Sequence, residues 1–240
     1  MKSLLVVALL PPLALMYYVH SLDKREQEPP KLLLKLFIFG CLSVIPTVFL
    51  EQFAAEAIYN VSTSYVMYQL LENFIGVALI EEGCKYVFLR IGSWKHPAFD
   101  HKFDGIVYAV FVSLGFAAIE NVMYVFSYGV GNGLMRAITS IPGHCIFGIF
   151  MGYYYSLSKD ASVDGRHDAI SPNAIKALII PMLVHGLYDF ILSFNGSGML
   201  IAFFVYIIAL DIFAFRFIHR ASREDEAFAD VHWGRMFRKF

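Results

Sequence analysis

The chain has 240 residues, of which 58% are hydrophobic and only 16% charged, and its formal net charge is −1. Soluble domains carry about 25% charged residues, so this chain has too little polar surface for a water-soluble particle of its size. The near-neutral charge provides no basic field, so nucleic acid is excluded as a partner. We therefore expect a membrane protein in contact with the lipid bilayer.

Seven apolar stretches each approach the length of about 20 residues that a membrane-spanning helix needs. In chain order they lie at residues 3–20, 32–50, 66–91, 104–127, 134–157, 173–194 and 198–217. The first stretch lacks a clear small-x-small cleavage site, so we expect a retained span rather than a signal peptide. The sequence thus predicts an all-α, polytopic membrane protein of about seven transmembrane helices, with residues 1–240 forming one domain.

The distribution of basic residues predicts the orientation of these helices. All Lys and Arg residues except Lys2 and Arg136 flank the first, third and fifth loops or the C-terminal tail. By the positive-inside rule, the N-terminus lies outside and the C-terminus in the cytoplasm. Residues 52–71 are too polar for mid-bilayer, and form either an amphipathic surface helix or the outer end of the third span. The tail, 219–240, is an interfacial helix or disordered.

Ionisable residues inside spanning helices cost about 2.5–3.5 kcal/mol each, so by default they mark function. The third span contains Glu81, Glu82 and Lys85. Lys85 follows Glu81 by four residues, so these two side chains can pair on one helix face. Glu82 points to a neighbouring face and needs another partner. The structural alternative is that both glutamates are solvated near the interface.

The fourth and sixth spans carry two further polar pairs. Glu120 and Asn121 are adjacent in the fourth span, as part of a site or as a structural interhelical hydrogen bond. In the sixth span, His185 and Asp189 are four residues apart and share one helix face. Asp189 can orient His185 in a metal site, or the two can form a buried pair without metal.

The fifth span contains His144 two residues after Pro142. Pro142 lacks an N–H group and frees backbone groups beside the histidine. Gly148 and Gly152 continue the same helix ridge at intervals of four residues, and small residues there let a neighbouring helix approach closely. A lone histidine on an apolar face is more often a core residue than a metal ligand.

The combination carries more weight than any single residue. Glu82, Glu120, His144 and His185 come from four separate spans and fall at similar depths. Imidazole and carboxylate groups are suitable ligands for zinc. A catalytic zinc needs about three protein ligands and one water position, which leaves one carboxylate to act as general base.

Four motifs in this order resemble the PrsW family of intramembrane proteases, over nearly the whole chain. They are Glu81-Glu82-x-x-Lys85, Phe116-x-x-x-Glu120-Asn121, His144 followed by Phe147-Gly148-x-x-Met151-Gly152, and His185-Gly186-x-Tyr188-Asp189-Phe190. The resemblance implies a glutamate-dependent membrane metalloprotease of a prokaryotic cytoplasmic membrane. It also implies that the substrate is a membrane-spanning protein of the anti-sigma-factor type, and that Glu81, Glu82 and His185 are essential.

From these motifs we predict a zinc ion held by Glu120, His144 and His185. Glu82, or alternatively Glu81, deprotonates the zinc-bound water, which attacks the peptide carbonyl. Two alternatives remain open for the same residues. Either glutamate of the pair can be a ligand with Glu120 behind it, or the carboxylate and histidines can activate water without metal.

Three other residues have supporting roles in this hypothesis. Asn121, together with the zinc, stabilises the oxyanion. Lys85 pairs with Glu81 and limits the repulsion between the two glutamates, while Asp189 orients a histidine. Two other classes of function use the same polar residues: a proton-coupled transporter and a catalytically inactive scaffold or chaperone.

Overall fold

The computed structural model describes residues 2–228, which form helices joined by short connections. The elements are α1 (Lys2–Ser21), α2 (Pro30–Val61), α3 (Tyr65–Leu71), a π-helical segment (Glu72–Leu79), α4 (Ile80–Ser93), α5 (Asp104–Tyr128), α6 (Val130–Ile138), α7 (Ser140–Val163), α8 (His167–Leu192) and α9 (Ser197–Arg223). This architecture confirms the prediction of an all-α, polytopic membrane protein.

Six segments within residues 2–228 are long and apolar enough to cross a membrane. They are Leu4–Ser21, Pro30–Val61, Asp104–Tyr128, Val130–Val163, His167–Leu192 and Ser197–Arg223. The remaining predicted span, 66–91, is helical throughout as α3, the π segment and α4. It carries several charged residues, so length and composition alone do not identify it as a span.

The boundaries of the second span differ from the prediction. Helix α2 continues without interruption to Val61, so residues 52–61 extend the second span rather than forming a separate surface helix. Residues 65–71 form α3, which leads directly into the π segment and belongs to the third predicted span. Residues 229–240 lie outside the described residues. The prediction that the tail, 219–240, is an interfacial helix or disordered therefore falls mostly outside the described part of the chain.

Helix α5 lies at the centre of the bundle and packs against α1, α2 and α7. Two glycines set its distance from α2. A Cβ atom added at Gly40 would lie 2.0 Å from the carbonyl oxygen of Val112, and one at Gly115 would lie 2.3 Å from that of Phe37. The two backbones are therefore in direct contact, which only residues without side chains permit.

The close approach predicted for the glycines of the fifth span is confirmed, and the neighbouring helix is α5. A Cβ atom at Gly152 would lie 2.3 Å from the carbonyl oxygen of Gly105, and one at Gly148 would lie 3.0 Å from the Cα atom of Val110. Because His144 lies on the same ridge, this contact turns His144 toward the helix that carries Glu120.

The break in the fifth span lies at Thr139 rather than at Pro142. Helix α6 ends at Ile138, Thr139 has φ −125° and ψ −73°, and α7 begins at Ser140. Pro142 therefore falls in the first turn of α7, where a backbone N–H has no intrahelical acceptor. The proline starts the helix that carries His144 instead of interrupting it.

Three connecting segments meet at one end of the bundle: residues 22–29, residues 94–103 and residues 224–228. The backbone N–H of Lys102 donates to the carbonyl of Glu226 over 3.1 Å, and that of Phe228 donates to Asp100. The sequence analysis places these same segments in the cytoplasm, so we refer to this end as the predicted cytoplasmic end.

Candidate active site

A cavity of about 670 Å³ lies among α2, the π segment and helices α4 to α8. Five of the residues singled out in the sequence line it: Glu81, Glu120, His144, His185 and Asp189. The fold therefore brings together side chains from α4, α5, α7 and α8, which are separated by up to about a hundred residues of sequence.

Lys85 is the centre of the polar network beside this cavity. Its Nζ atom lies 2.9 Å from Oε2 of Glu81, 2.7 Å from Oε1 of Glu82 and 3.2 Å from Nδ1 of His144. The side chain is fully buried, and the ammonium lies 4.2 Å from the ring centroid of Phe116. The predicted pair with Glu81 is present, and the same ammonium also forms a salt bridge with Glu82.

His144 connects Lys85 to Glu120. Because the Lys85 ammonium can only donate, Nδ1 of His144 accepts this hydrogen bond. The proton of the neutral ring is then on Nε2, which donates to Oε2 of Glu120 over 2.9 Å. Oε2 of Glu120 also accepts a hydrogen bond of 2.7 Å from Arg136. Both ring nitrogens of His144 are thus engaged by side chains of other helices.

His185 lies between two carboxylates on the other side of the network. Its Nδ1 atom is 3.0 Å from Oε1 of Glu82, and its Nε2 atom is 3.1 Å from Oδ2 of Asp189. The imidazole stacks on the ring of Phe147, with the centroids 4.6 Å apart and the planes at 18°. Asp189 therefore contacts the histidine that the sequence predicts it to orient, and the packing fixes the plane of that ring.

The two glutamates of α4 differ in their access to the cavity. Glu81 lines the cavity and is 6% exposed, whereas Glu82 has no exposed surface and does not line it. Oε2 of Glu82 is buried without a hydrogen-bond partner. The sequence predicts Glu82, or alternatively Glu81, as the group that deprotonates water. The structure instead gives Glu81 the access to water, because the helix turns Glu82 into the network behind it.

Asn121 is placed differently from the prediction. It is fully buried beside the cavity but does not line it. Its Nδ2 atom donates to the carbonyl oxygen of Ala8 over 2.9 Å, and its Oδ1 atom accepts from Nε of Arg136 over 3.1 Å. Both ends of the amide are engaged and the side chain does not line the cavity, so Asn121 is not placed to donate to an oxyanion there. It ties α1 to α5 and positions Arg136.

The predicted zinc ligands are not the set that the structure brings closest. In the described part of the chain, the cavity-side group able to offer three ligand atoms within 4.8 Å of one another is Glu81, Glu82 and His144. Glu120 and His185 are engaged by Arg136 and by carboxylates, respectively, as described above. This grouping is closer to the alternative in which either Glu81 or Glu82 is a ligand with Glu120 behind it, except that here both glutamates lie within reach.

The donor atoms themselves are chemically suitable for zinc, which binds imidazole and carboxylate groups. Their arrangement fits a metal ion poorly, because the Nζ atom of Lys85 lies within 2.7–3.2 Å of one donor atom of each of Glu81, Glu82 and His144. A divalent cation bound among these three donor atoms would displace the fully buried ammonium of Lys85. The ammonium of Lys85 therefore occupies the position that a metal ion would take.

Two residues of the cavity were missed in the sequence analysis. Arg136 lines the cavity and binds Glu120, although the loop-charge analysis treated it only as an outer cation. Glu51 also lines the cavity, since α2 continues past the apolar run that ends at residue 50. The signal for Arg136 was its isolation, because it and Lys2 are the basic residues on the side that is otherwise free of them.

Comparisons with known proteins identify the family of this chain. Residues 28–214 match the model of the family described as PrsW family intramembrane metalloprotease. Protease PrsW of Oceanobacillus iheyensis is 36% identical over 84% of this chain and 88% of its own length. The Clostridioides difficile protein of the same name is 36% identical over 87% of both chains. Protease PrsW of Bacillus subtilis is 30% identical over 80% of this chain and 84% of its own. No solved structure matches significantly. The chain belongs to the PrsW family of intramembrane proteases.

Proposed function

We propose that the chain is a glutamate-dependent endopeptidase that cleaves a membrane-spanning protein within or next to the bilayer. The substrate class is the anti-sigma-factor type, and the location is a prokaryotic cytoplasmic membrane. The observation that carries the proposal is the cavity in which Glu81 meets a fixed network of buried charges. Protease relatives favour hydrolysis over the transporter and scaffold alternatives.

Glu81 is the residue that we assign to water activation. Lys85 donates to its Oε2 atom, and its other carboxylate oxygen makes no hydrogen bond among the described residues. That oxygen can accept a proton from a cavity water while the water oxygen attacks the peptide carbonyl. Glu81 then gives the proton to the leaving nitrogen as the C–N bond breaks, so the carboxylate is regenerated.

Arg136 is the residue that we assign to the developing oxyanion. It lines the cavity, and its Nε and one terminal nitrogen are fixed by Asn121 and Glu120. The other terminal nitrogen makes no hydrogen bond within residues 2–228, so it is free to donate to a carbonyl oxygen. A pre-positioned donor in a site that excludes bulk water stabilises such charge strongly.

His144 and His185 hold this arrangement rigid. His144 links Lys85 to Glu120, and His185 links Glu82 to Asp189. The network therefore joins α4, α5, α7 and α8 around the cavity. If a metal ion binds, Glu81, Glu82 and His144 would hold it, and it would supply Lewis-acid activation of water. Because Lys85 already contacts these three donor residues, we propose hydrolysis without the zinc that the sequence predicts.

Reconstituted proteolysis tests the proposal. Purified protein and a membrane-spanning anti-sigma factor, tagged at both ends, are placed in the same liposomes, and fragments are identified by mass spectrometry. We expect the wild type to cut in or near the membrane-proximal part of the substrate. Glu81→Gln should abolish the cut, whereas Glu56→Gln, at an exposed position of α2, should leave it unchanged. Cleavage by Glu81→Gln at the wild-type rate would overturn the assignment.

Elemental analysis decides between metal-free and zinc-dependent hydrolysis. The wild type is compared with the His144→Ala/His185→Ala double variant after purification in detergent and zinc reconstitution. We expect no stoichiometric zinc and a cleavage rate that resists chelators, because the ammonium of Lys85 already binds the donor atoms. About one zinc per wild-type chain, lost in the double variant, would establish the zinc site instead.

A further inference from the structure

A second cluster of carboxylates lies at the predicted cytoplasmic end of the bundle, away from the cavity. Asp23 and Glu28 come from the connection between α1 and α2, and Asp104 is the first residue of α5. Their exposed fractions are 3%, 3% and 1%. One carboxylate oxygen of each lies within 4.8 Å of those of the other two.

The hydrogen bonds of these residues leave oxygens facing one another. Oε2 of Glu28 accepts a hydrogen bond from the hydroxyl of Tyr108. Oδ2 of Asp104 accepts backbone N–H groups of Asp100 and His101, at 3.0 and 2.7 Å. The carboxyl groups of Glu28 and Asp104 also lie within hydrogen-bonding distance of each other, so they share a proton when no cation is bound, and a cation can take the place of that proton.

Asp23 provides the independent observation. Its carboxylate receives no hydrogen bond from any described residue, and Oδ2 is completely buried and unpartnered. A buried carboxylate without a donor or a cation is strongly unfavourable. Asp23 nevertheless points into the cluster, next to two further carboxylates. A bound cation would remove this cost.

The three carboxylates lack a lysine or arginine partner in the described part of the chain. Among the described residues, none of the three carboxylates forms a salt bridge with a lysine or arginine; the nearby Lys102 is paired with Glu226 instead. This contrasts with the active site, where Lys85 pairs with Glu81 and Glu82 and Arg136 pairs with Glu120. Donors that are all carboxylate oxygens select hard cations such as Mg²⁺ and Ca²⁺ over zinc.

We propose that Asp23, Glu28 and Asp104 form a binding site for a hard divalent cation, which joins the α1–α2 connection to the start of α5. The site is separate from the catalytic centre. Asp104 precedes Glu120 by 16 residues of one helix, or ~24 Å at 1.5 Å per residue. The cation fixes the end of the central helix to its neighbours, and its role is structural.

Thermal unfolding of the full chain in detergent or nanodiscs tests this site. Protein treated with a chelator and dialysed is titrated with MgCl₂ and, in a second series, with CaCl₂. For the wild type, a hundredfold excess over the dissociation constant should raise Tm by about 5–10 °C. Asp23→Asn keeps the shape of the side chain and should abolish the rise. Asp168→Asn, at an exposed position of α8, should keep it.

The metal-free Asp23→Asn protein should also melt at or above the Tm of the metal-free wild type, because the substitution removes like-charge repulsion. Glu81→Gln should retain the full Mg²⁺ or Ca²⁺ response, which separates this site from the proposed catalytic one. The inference is overturned if neither cation shifts the wild-type Tm at millimolar concentration, or if Asp23→Asn responds as the wild type does.

Discussion

The Nζ atom of Lys85 lies 2.7 Å from Oε1 of Glu82, and neither side chain has any exposure to solvent. The pair is one turn apart on α4 and is completely surrounded by other helices. Buried ions of this kind are stable only with their partners, because the removal of one leaves the other charged and unsolvated. The local network therefore couples the stability of the bundle to the chemistry of the site.

Replacement of Lys85 by methionine should destabilise the protein strongly. The change leaves Glu81 and Glu82 buried without their common partner, and a broken buried pair costs about 3–5 kcal/mol. Thermal unfolding in detergent measures the effect, with Lys176→Met, at an exposed position, as the control. The Lys85→Met/Glu82→Gln double variant should recover part of the lost Tm. Equal Tm values for Lys85→Met and wild type would contradict the prediction.

Asp189→Asn should reduce turnover while the fold persists. The amide keeps the shape of the side chain but provides a weaker acceptor for Nε2 of His185, which now lies 3.1 Å from the carboxylate. We expect kcat to fall about 10–100-fold, the range found for groups that orient histidines at metal sites, with a smaller change in KM. Thermal unfolding of the same sample separates this loss from misfolding. A wild-type kcat would remove Asp189 from the network.

Arg136→Met should lower kcat by about 10²-fold or more, the range for loss of an oxyanion donor. Arg136→Lys keeps the charge but lacks the forked geometry that binds Glu120 and Asn121 together, so it should restore only part of the rate. Cleavage of the reconstituted substrate measures both variants. If methionine and lysine give the same rate, the charge of Arg136 has no part in catalysis.

Gly152→Ala tests the contact between α7 and α5. The added Cβ atom would lie 2.3 Å from the carbonyl oxygen of Gly105, which is backbone and cannot rotate away. Overpacking of this kind costs about 1–3 kcal/mol, and we expect a matching fall in Tm. Gly83→Ala is the control, since no other atom lies within 4 Å of its added Cβ. An undiminished Tm in Gly152→Ala would mean that the helices separate without cost.

The sequence predicts the fold class and most residues of the cavity because both leave local signals. Apolar runs of spanning length predict the helices, and ionisable residues within those runs are rare enough to mark the site. The pairs Lys85–Glu81 and His185–Asp189 follow from helix periodicity alone, and both contacts are present. Their spacing of four residues makes them predictable without tertiary information.

Contacts between helices were predictable only in part, because they depend on how each helix is rotated about its own axis and on the depth of each residue in the membrane. Helix periodicity distinguishes Glu81 from Glu82 but does not say which of them faces the cavity. Asn121 was predicted to face the reacting carbonyl, yet its partners are Ala8 and Arg136, which lie on other helices. The cluster around Asp23 combines segments distant in sequence and has no local pattern at all.

The π-helical segment at Glu72–Leu79 has a consequence for the rotation of α4. Each residue of an α-helix rotates the chain by about 100° about the helix axis, and the turns of a π-helix are wider. The length of this segment therefore sets the direction in which the side chains at the start of α4 point. Deletion of one residue here would rotate Glu81, Glu82 and Lys85 together, away from His144 on α7 and His185 on α8, without any change to the glutamates themselves. The number of residues between Leu71 and Ile80 thus determines which way the active-site residues of α4 face, independently of which amino acids the segment contains.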